Sequence, residues 1–197
     1  MLNLDVSARI HPKLKGILAD VGHAWRRELL SVAANALRIE IVSHVRRTSS
    51  MHHVWATRLG ASPTGHLTKG ASRITSSVTS ESATVSIPIA GISRAFHDLD
   101  ILPVRARMLT IPVSGIAYGH TVRELRRHGW TIFRPKGHDI LMGKRMKKEP
   151  ARTLYALKKR VIVRQDRSLL PDETRMVDVV NRAMAASVRD VLQGGNK

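Results

Sequence analysis

The chain has 197 residues, 43% of them hydrophobic, which suits a single domain or a single domain with an extended arm. It contains no cysteine, so disulfides, thiolate nucleophiles and cysteine-ligated metal sites are excluded. Lys and Arg number 33 against 15 Asp and Glu, a net charge of +18, and residues 101–167 hold 17 of these basic residues but only four acidic ones. Charge this concentrated favours an anionic partner, either a nucleic acid or an acidic protein surface.

The N-terminal part is predicted to form one long helix, from Pro12 to about Val45. Apolar residues recur there at steps of three or four: Leu14, Leu18, Val21, Trp25, Leu29, Val32, Ala36 and Ile39. This apolar face is widened by Leu30, Leu37 and Ile41. An unbroken helix of this length would span about 50 Å, which predicts either a break near Gly22 or packing against a neighbouring subunit.

The next segment, residues 46–83, is dominated by Ser, Thr, Gly and His and is predicted to be a long loop. Single helical turns are expected around Val54–Leu59 and His66–Ser72. Long loops in compact domains are often functional or become ordered on binding. We therefore expect this segment to be functional or to become ordered on binding.

Strand patterns begin at about Thr84. Val85, Ile87 and Ile89 alternate on one face, and Pro88 predicts an edge strand or a strand end because proline has no backbone N–H donor. The later elements are predicted in this order: a strand at 108–114, a short basic helix at 119–128 stopped by Gly129, strands at 130–133 and 139–142 joined by a hairpin loop, a charged loop at 143–152, a strand at 154–163 and a helix at 171–192.

This order of elements predicts an α+β fold: a long N-terminal helix, a small and mostly antiparallel sheet with an inserted short helix, and a C-terminal helix. We divide the chain into an N-terminal helical segment, 1–47, a Ser/Thr/Gly-rich loop region, 48–83, and an α+β core with the C-terminal helix, 84–197, and we expect one domain overall. No stretch approaches the ~18 apolar residues of a membrane span, and residues 1–15 contain no apolar signal-peptide core, so no membrane contact is expected.

No pattern of reactive residues predicts catalysis. His52 and His53 are adjacent and therefore point in different directions, and the chain contains no His-Glu-x-x-His zinc motif. The 15 acidic residues are scattered rather than grouped around a metal position. Gly60, Gly65 and Gly70 lack the Gly-Lys-Ser/Thr ending of a phosphate-binding loop. We therefore predict that the protein is not an enzyme and has no catalytic residue, metal, cofactor or small-molecule substrate.

The candidate residues for binding nucleic acid or a partner are eleven cations of the basic stretch: Arg105, Arg107, Arg123, Arg126, Arg127, Arg134, Lys136, Lys144, Arg145, Lys147 and Lys148. Of these, Arg123, Arg126 and Arg127 share one face of the predicted short helix. Contacts from such residues to a phosphate backbone are independent of base sequence and sensitive to salt. Trp130 and Phe133 are interpreted as core or strand residues, since seven aromatic side chains are too few for a base-stacking platform. The alternative is that the cations are solvated or pair with acidic subunits.

Three blocks of the C-terminal half carry a family resemblance: LTIPVSGIAYG at 109–119, GWTIFRPKG at 129–137 and LYALKKRVIVRQDRSLLP at 154–171. Together with the closing helix, these blocks resemble the tail-completion and minor tail proteins of long-tailed phages, the phage virion morphogenesis family. The resemblance covers residues 85–192 and includes no catalytic motif.

The resemblance implies a structural virion protein that forms a ring, expected to be a hexamer, at the head-proximal end of the tail. Such a protein acts in tail completion and in head–tail joining at the neck, and it is assembled into the virion in the host cytoplasm. The implied partners are further copies of the chain, the tail tube or tail terminator protein, the head–tail connector protein and, as a further candidate, phage genomic DNA in the channel. The alternative function is a stand-alone nucleic-acid-binding protein that recognises no particular sequence.

Overall fold

The computed structural model describes residues 2–5 and 23–194, and within them the chain has an α+β fold. The first part of the predicted N-terminal helix, including Leu14, Leu18 and Val21, lies outside the described residues. None of the described helices is both long enough and apolar enough to span a membrane.

The described helices, in chain order, are α1 (His23–Thr48), α2 (Val54–Arg58), α3 (His66–Ala71), α4 (Val122–Arg127) and α5 (Glu173–Gly194). The strands are β1 (Leu2–Asp5), β2 (Thr75–Val78), β3 (Ala83–Ile87), β4 (Leu99–Ile101), β5 (Leu109–Pro112), β6 (Thr131–Phe133), β7 (Ile140–Lys144), β8 (Arg152–Lys158) and β9 (Val161–Val163). Short 3-10 helices lie at Ser49–His53, Ile92–Ala95 and Arg167–Leu169.

The described chain forms two compact units. Unit 1 comprises residues 2–5, 23–49, 66–97 and 165–194, and unit 2 comprises residues 50–65 and 98–164. These boundaries differ from the predicted division, because the segment 48–83 contributes to both units instead of forming a region of its own. Its two predicted helical turns are confirmed as α2 in unit 2 and α3 in unit 1, whereas β2 was not predicted.

In unit 1, α1 packs against α5, α3 and the strands β2 and β3 of an antiparallel sheet of order β1-β3-β2. The side chains of α1 that enter this core are Leu29, Leu30, Ala33, Ala34, Leu37, Ile41 and Val45. This face is displaced from the predicted stripe, since Val32 and Ala36 are only half-buried and Ile39 is 53% exposed. The predicted apolar face was wrong at these positions because apolar residues occur on two neighbouring faces of the helix. Helix α5 and the sheet pack against only one of these faces.

Strand β3 occupies the centre of the unit 1 sheet and buries Ala83, Val85 and Ile87 completely. Its neighbours β1 and β2 both run antiparallel to it. The strand ends at Ile87, directly before Pro88, whose missing N–H cannot continue the ladder of hydrogen bonds. The predicted strand end at this proline is therefore confirmed, whereas the edge position is wrong.

Unit 2 contains a four-stranded antiparallel sheet of order β5-β8-β7-β6 and a two-stranded ribbon of β4 and β9. Its core consists of Ala117, Leu125, Ile132, Leu154 and Tyr155. The predicted hairpin of β6 and β7 is confirmed. The predicted single strand at 154–163 is wrong: β8 ends at Lys158 in the sheet, and β9 begins at Val161 in the ribbon, where it pairs with the unpredicted β4.

Candidate partner interface

All eleven predicted binding cations lie in unit 2. This unit holds 17 Lys and Arg residues against five Asp and Glu residues, a balance of +12, whereas the rest of the chain holds 16 against 10. Charges of one sign on so small a unit repel one another unless acids of the same unit or an outside partner neutralise them. The positions of the five acids therefore decide how much of this charge is left for a partner.

Three of the five acids in unit 2 form salt bridges, all of them solvent-exposed: Arg134–Asp139 at 2.6 Å, Arg160–Asp100 at 2.8 Å and Arg164–Asp98 at 3.1 Å. Exposed pairs of this kind contribute little to stability, because water and salt screen them. The hydrogen bond that Arg160 Nε donates to Asp100 Oδ1 raises the pKa of Arg160, which keeps this guanidinium charged. Arg134 is thus the one predicted binding residue that forms a salt bridge in the described part of the chain.

The fourth acid, Glu124, fixes the start of α4, the predicted short basic helix. The Glu124 N–H donates to Thr121 Oγ1 at 3.2 Å, and the Thr121 N–H donates to Glu124 Oε2 at 2.7 Å. This reciprocal capping box, above all the bond from the Thr121 backbone, holds the pKa of Glu124 below its usual range. Gly129, at φ +82°, ends the helix as predicted. The fifth acid, Glu149, accepts the Met146 N–H at 3.4 Å.

Replacing Thr121 by alanine is expected to weaken α4 and to raise the pKa of Glu124 part of the way towards its usual range, because alanine lacks the hydroxyl but keeps the backbone N–H. Loss of an N-cap side chain of this type costs about 1 kcal/mol. Because the folded-state pKa of Glu124 is lowered, its stabilising effect is present above the ordinary glutamate pKa and is lost as the pH falls through the lowered value. The difference between the unfolding free energies at neutral and at acidic pH should therefore be smaller in Thr121→Ala than in the wild-type chain.

Urea denaturation at neutral and acidic pH, with an NMR titration of the Glu124 carboxyl group, measures both effects of this variant. Thr121→Ser keeps the capping hydroxyl and should retain the lowered pKa. An unchanged Glu124 pKa in Thr121→Ala would contradict the role of the threonine hydroxyl in the capping box.

Fourteen of the 17 cations of unit 2 have no salt bridge within the described residues, and ten of these are predicted binding residues. Two of the ten have additional structural roles. Arg126 donates from its guanidinium to the Ile132 carbonyl at 3.2 Å, which ties α4 to β6. Lys144 was placed in the charged loop by the sequence but is the half-buried last residue of β7, so this loop spans only 145–151. The other eight are exposed: Arg105, Arg107, Arg123, Arg127, Lys136, Arg145, Lys147 and Lys148.

The structure brings the basic helix and the basic loop together at a surface depression of about 380 Å³. Its lining comprises Ile116, His120, Leu125, His128, Trp130 and Arg145. His120 precedes α4 and His128 is its C-cap residue, and their imidazole rings meet edge to face with centroids 6.3 Å apart. Arg145 comes from the β7–β8 loop. The depression therefore combines an apolar floor and an indole ring with three nitrogen-bearing side chains that can donate hydrogen bonds to an anion.

Backbone contacts hold the lining of this depression in place. The Trp130 N–H donates to the Leu125 carbonyl at 3.0 Å, which joins the end of α4 to the start of β6. Gly143 leaves room for the indole, because a Cβ at this position would lie 3.3 Å from Trp130 Cε3. Tyr155 donates its hydroxyl to the His120 carbonyl at 2.9 Å, and burial raises the pKa of Tyr155, so the phenol remains a donor. Hydrogen bonds within unit 2 thus fix the backbone at His120 and Trp130.

Comparison with known proteins finds no match: no family model fits the sequence, and no curated protein or solved structure is significantly similar to it. The resemblance to phage tail-completion proteins therefore rests on the three sequence blocks and the closing helix alone. Among the residues that the structure describes, no group of three or more His, Asp or Glu side chains could hold a metal ion.

Sequence analysis did not select the two histidines of the depression. A local signal exists, since His120 and His128 stand eight residues apart at the two ends of a capped helix. Trp130 packs against the unit 2 core, as interpreted from the sequence, but also lines the depression. Phe133 lies in β6 as predicted, yet its side chain is 41% exposed. Strand alternation explains this exposure, because Phe133 points to the face opposite that of buried Ile132.

Proposed function

We propose that the chain is a structural protein of a long-tailed phage particle, where it forms a ring at the head-proximal end of the tail and takes part in tail completion and head–tail joining. The observation that carries the proposal is the charge of unit 2, with 14 cations that have no salt bridge in the described residues. Contact with a polyanion relieves the mutual repulsion of such charges. At the neck of a phage, that polyanion is the DNA in the channel or an acidic surface of an adjoining ring.

Exposed apolar side chains of unit 2 also support an assembly role. The loop between β4 and β5 exposes Leu102 and Val104, the latter to 95%, directly before Arg105. Single apolar side chains are common on protein surfaces, but several in one exposed loop are typical of a contact with another chain. A closed ring needs two different contact faces on each subunit. This loop and the cationic surface are candidates for contact faces.

Deleting the gene for this chain in a culture that produces the particle tests the proposal. Heads and tails are expected to accumulate separately, because the ring that joins them is missing, and electron micrographs would show both products. Supplying the wild-type chain from a plasmid is the control and should restore joined particles. Gold-labelled antibody against the chain should then mark the head–tail junction. Joined, infectious particles made without the chain would contradict the proposal.

The alternative function, a stand-alone nucleic-acid-binding protein, predicts the opposite results in the same culture. Particles would form normally after the deletion, and the antibody would label cellular nucleic acid rather than the head–tail junction. The purified chain would also remain a monomer or dimer by native mass spectrometry, whereas the phage proposal expects a closed ring, alone or with its tail partners.

A further inference from the structure

We infer that the depression lined by His120, His128, Trp130 and Arg145 binds the phosphodiester backbone of nucleic acid. One phosphate lies at Arg145 and the two imidazoles, and the adjoining sugar packs against the Trp130 indole. The inference rests on the proposed function, which leaves open whether the cationic surface meets DNA or an acidic protein, and it assigns this surface to DNA.

The side chains at the mouth of the depression suit a phosphate. Arg145 is exposed and makes no hydrogen bond or salt bridge within the described residues, so its guanidinium fork is available. This planar group presents paired N–H donors that match two phosphate oxygens. His120 and His128 add ring N–H donors from the two ends of α4, with their ring centroids 6.3 Å apart.

Two acidic residues lie on the elements that supply the cations of this site. Glu149, on the β7–β8 loop, accepts the Met146 N–H at 3.4 Å. Glu124 lies close enough to His120 to interact with it electrostatically. Its carboxylate already accepts the Thr121 N–H at 2.7 Å, and Arg127 acts on it from the same helix. Arg123 and Arg127 on α4, together with Arg145, Lys147 and Lys148 on the β7–β8 loop, outnumber these two acids. The local field therefore favours an anion.

The Trp130 indole in the lining of the depression favours nucleic acid over an acidic protein as the ligand. Every nucleotide carries an anionic phosphate next to an apolar sugar face, so any stretch of the polymer can place one group at Arg145 and the other at Trp130. An acidic peptide would need a particular sequence to do the same. The neighbouring cations on α4 and the β7–β8 loop can then contact further phosphates along the strand without reading bases.

Titration of the full-length chain with a fluorescently labelled DNA duplex at several salt concentrations tests the inference. Arg145→Ala is expected to weaken binding about tenfold, the effect of one lost charged hydrogen bond, and to reduce the slope of log affinity against log salt by about one. Arg58→Ala is the matched control, because Arg58 is also exposed in unit 2, has no salt bridge in the described residues, does not line the depression and is not one of the eleven predicted binding cations. It should weaken binding less than about threefold, as a screened distant charge does.

Equal losses in Arg145→Ala and Arg58→Ala would overturn the inference, since they would show a diffuse charge effect with no distinct site. A polyglutamate peptide of equal charge should bind more weakly than DNA. If it binds as tightly and depends equally on Arg145, the surface takes an acidic protein and the inference fails.

The indole N–H signals of the three tryptophans, assigned from Trp→Phe variants, give a second readout by NMR. Addition of DNA should shift the Trp130 signal and leave that of Trp25, which packs in the unit 1 core, unchanged. An unmoved Trp130 signal at saturating DNA would exclude the depression. Because these measurements use purified chain, a negative result leaves the role in the particle to be decided by the gene deletion.

Discussion

Replacing Ile41 by alanine is expected to lower the free energy of unfolding by about 2–5 kcal/mol, whereas the same change at Ile39 should cost less than about 0.5 kcal/mol. The two isoleucines stand two residues apart on α1 and lose the same atoms. Ile41 is completely buried in the unit 1 core, while Ile39 is 53% exposed. Truncation of Ile41 therefore removes apolar contacts and leaves a cavity, but truncation of Ile39 mainly uncovers solvent-facing backbone.

Chemical denaturation of both variants, followed by circular dichroism of the helices, measures the difference. Both changes convert isoleucine to a stronger helix former, so intrinsic helix propensity affects them alike and cancels in the comparison. Equal destabilisation by the two substitutions would mean that Ile39 also enters an interior, in which case the face assigned to α1 is wrong.

The isoleucine pair also shows where the sequence misleads. Apolar side chains on α1 occupy two adjoining flanks, so periodicity establishes a helix but not which flank is buried. The short basic helix α4 and its stop at Gly129 have short-range causes and were predicted correctly, whereas the capping box of Thr121 and Glu124 at its start was not predicted. These residues determine local structure without help from the rest of the chain.

Strands held by distant partners were missed for the opposite reason. Strand β2 reads Thr-Ser-Ser-Val, has no apolar alternation, and forms through its backbone ladder with β3. Strand β4 pairs with β9, about sixty residues later in the chain, and a proline and two arginines follow it directly in a loop that looks unstructured in sequence. Neither ladder leaves a periodic pattern in the strand itself, so tertiary pairing alone specifies them.

The candidate site was predictable in charge but not in shape. Composition places the cations in one stretch, and the structure confirms that they share unit 2. The depression, however, requires His120 and His128 from the ends of α4 to meet Arg145 from the β7–β8 loop. That meeting depends on how the β6–β7 hairpin is registered against β8, which the sequence does not encode locally. Arg145 therefore appeared in sequence only as one of several equivalent cations.

Replacing Gly143 by alanine is expected to destabilise unit 2 by about 1–3 kcal/mol, the usual cost of overpacking a core. A Cβ at this buried position would lie 2.4 Å from Leu154 Cδ1 and 3.4 Å from Ile132 Cγ1. Leu154 is completely buried, at the irregularity where β8 changes register against β7, so its side chain cannot move aside without disturbing the rest of the core. The added methyl group also presses on Trp130, whose Cε3 would be 3.3 Å away.

Hydrogen exchange of the β7 and β8 amides, measured by NMR, locates this destabilisation in unit 2, and denaturation gives its size. Thr153→Ala is the control, because Thr153 is exposed on β8 beside Met142, and its change should cost less than about 1 kcal/mol. Since the same methyl group displaces the indole, Gly143→Ala should also weaken DNA binding at temperatures where the chain stays folded. If Gly143→Ala is as stable as the wild-type chain, the Leu154 side chain has room to turn away. The close packing of Trp130 against β7 would then not be what holds the depression in shape.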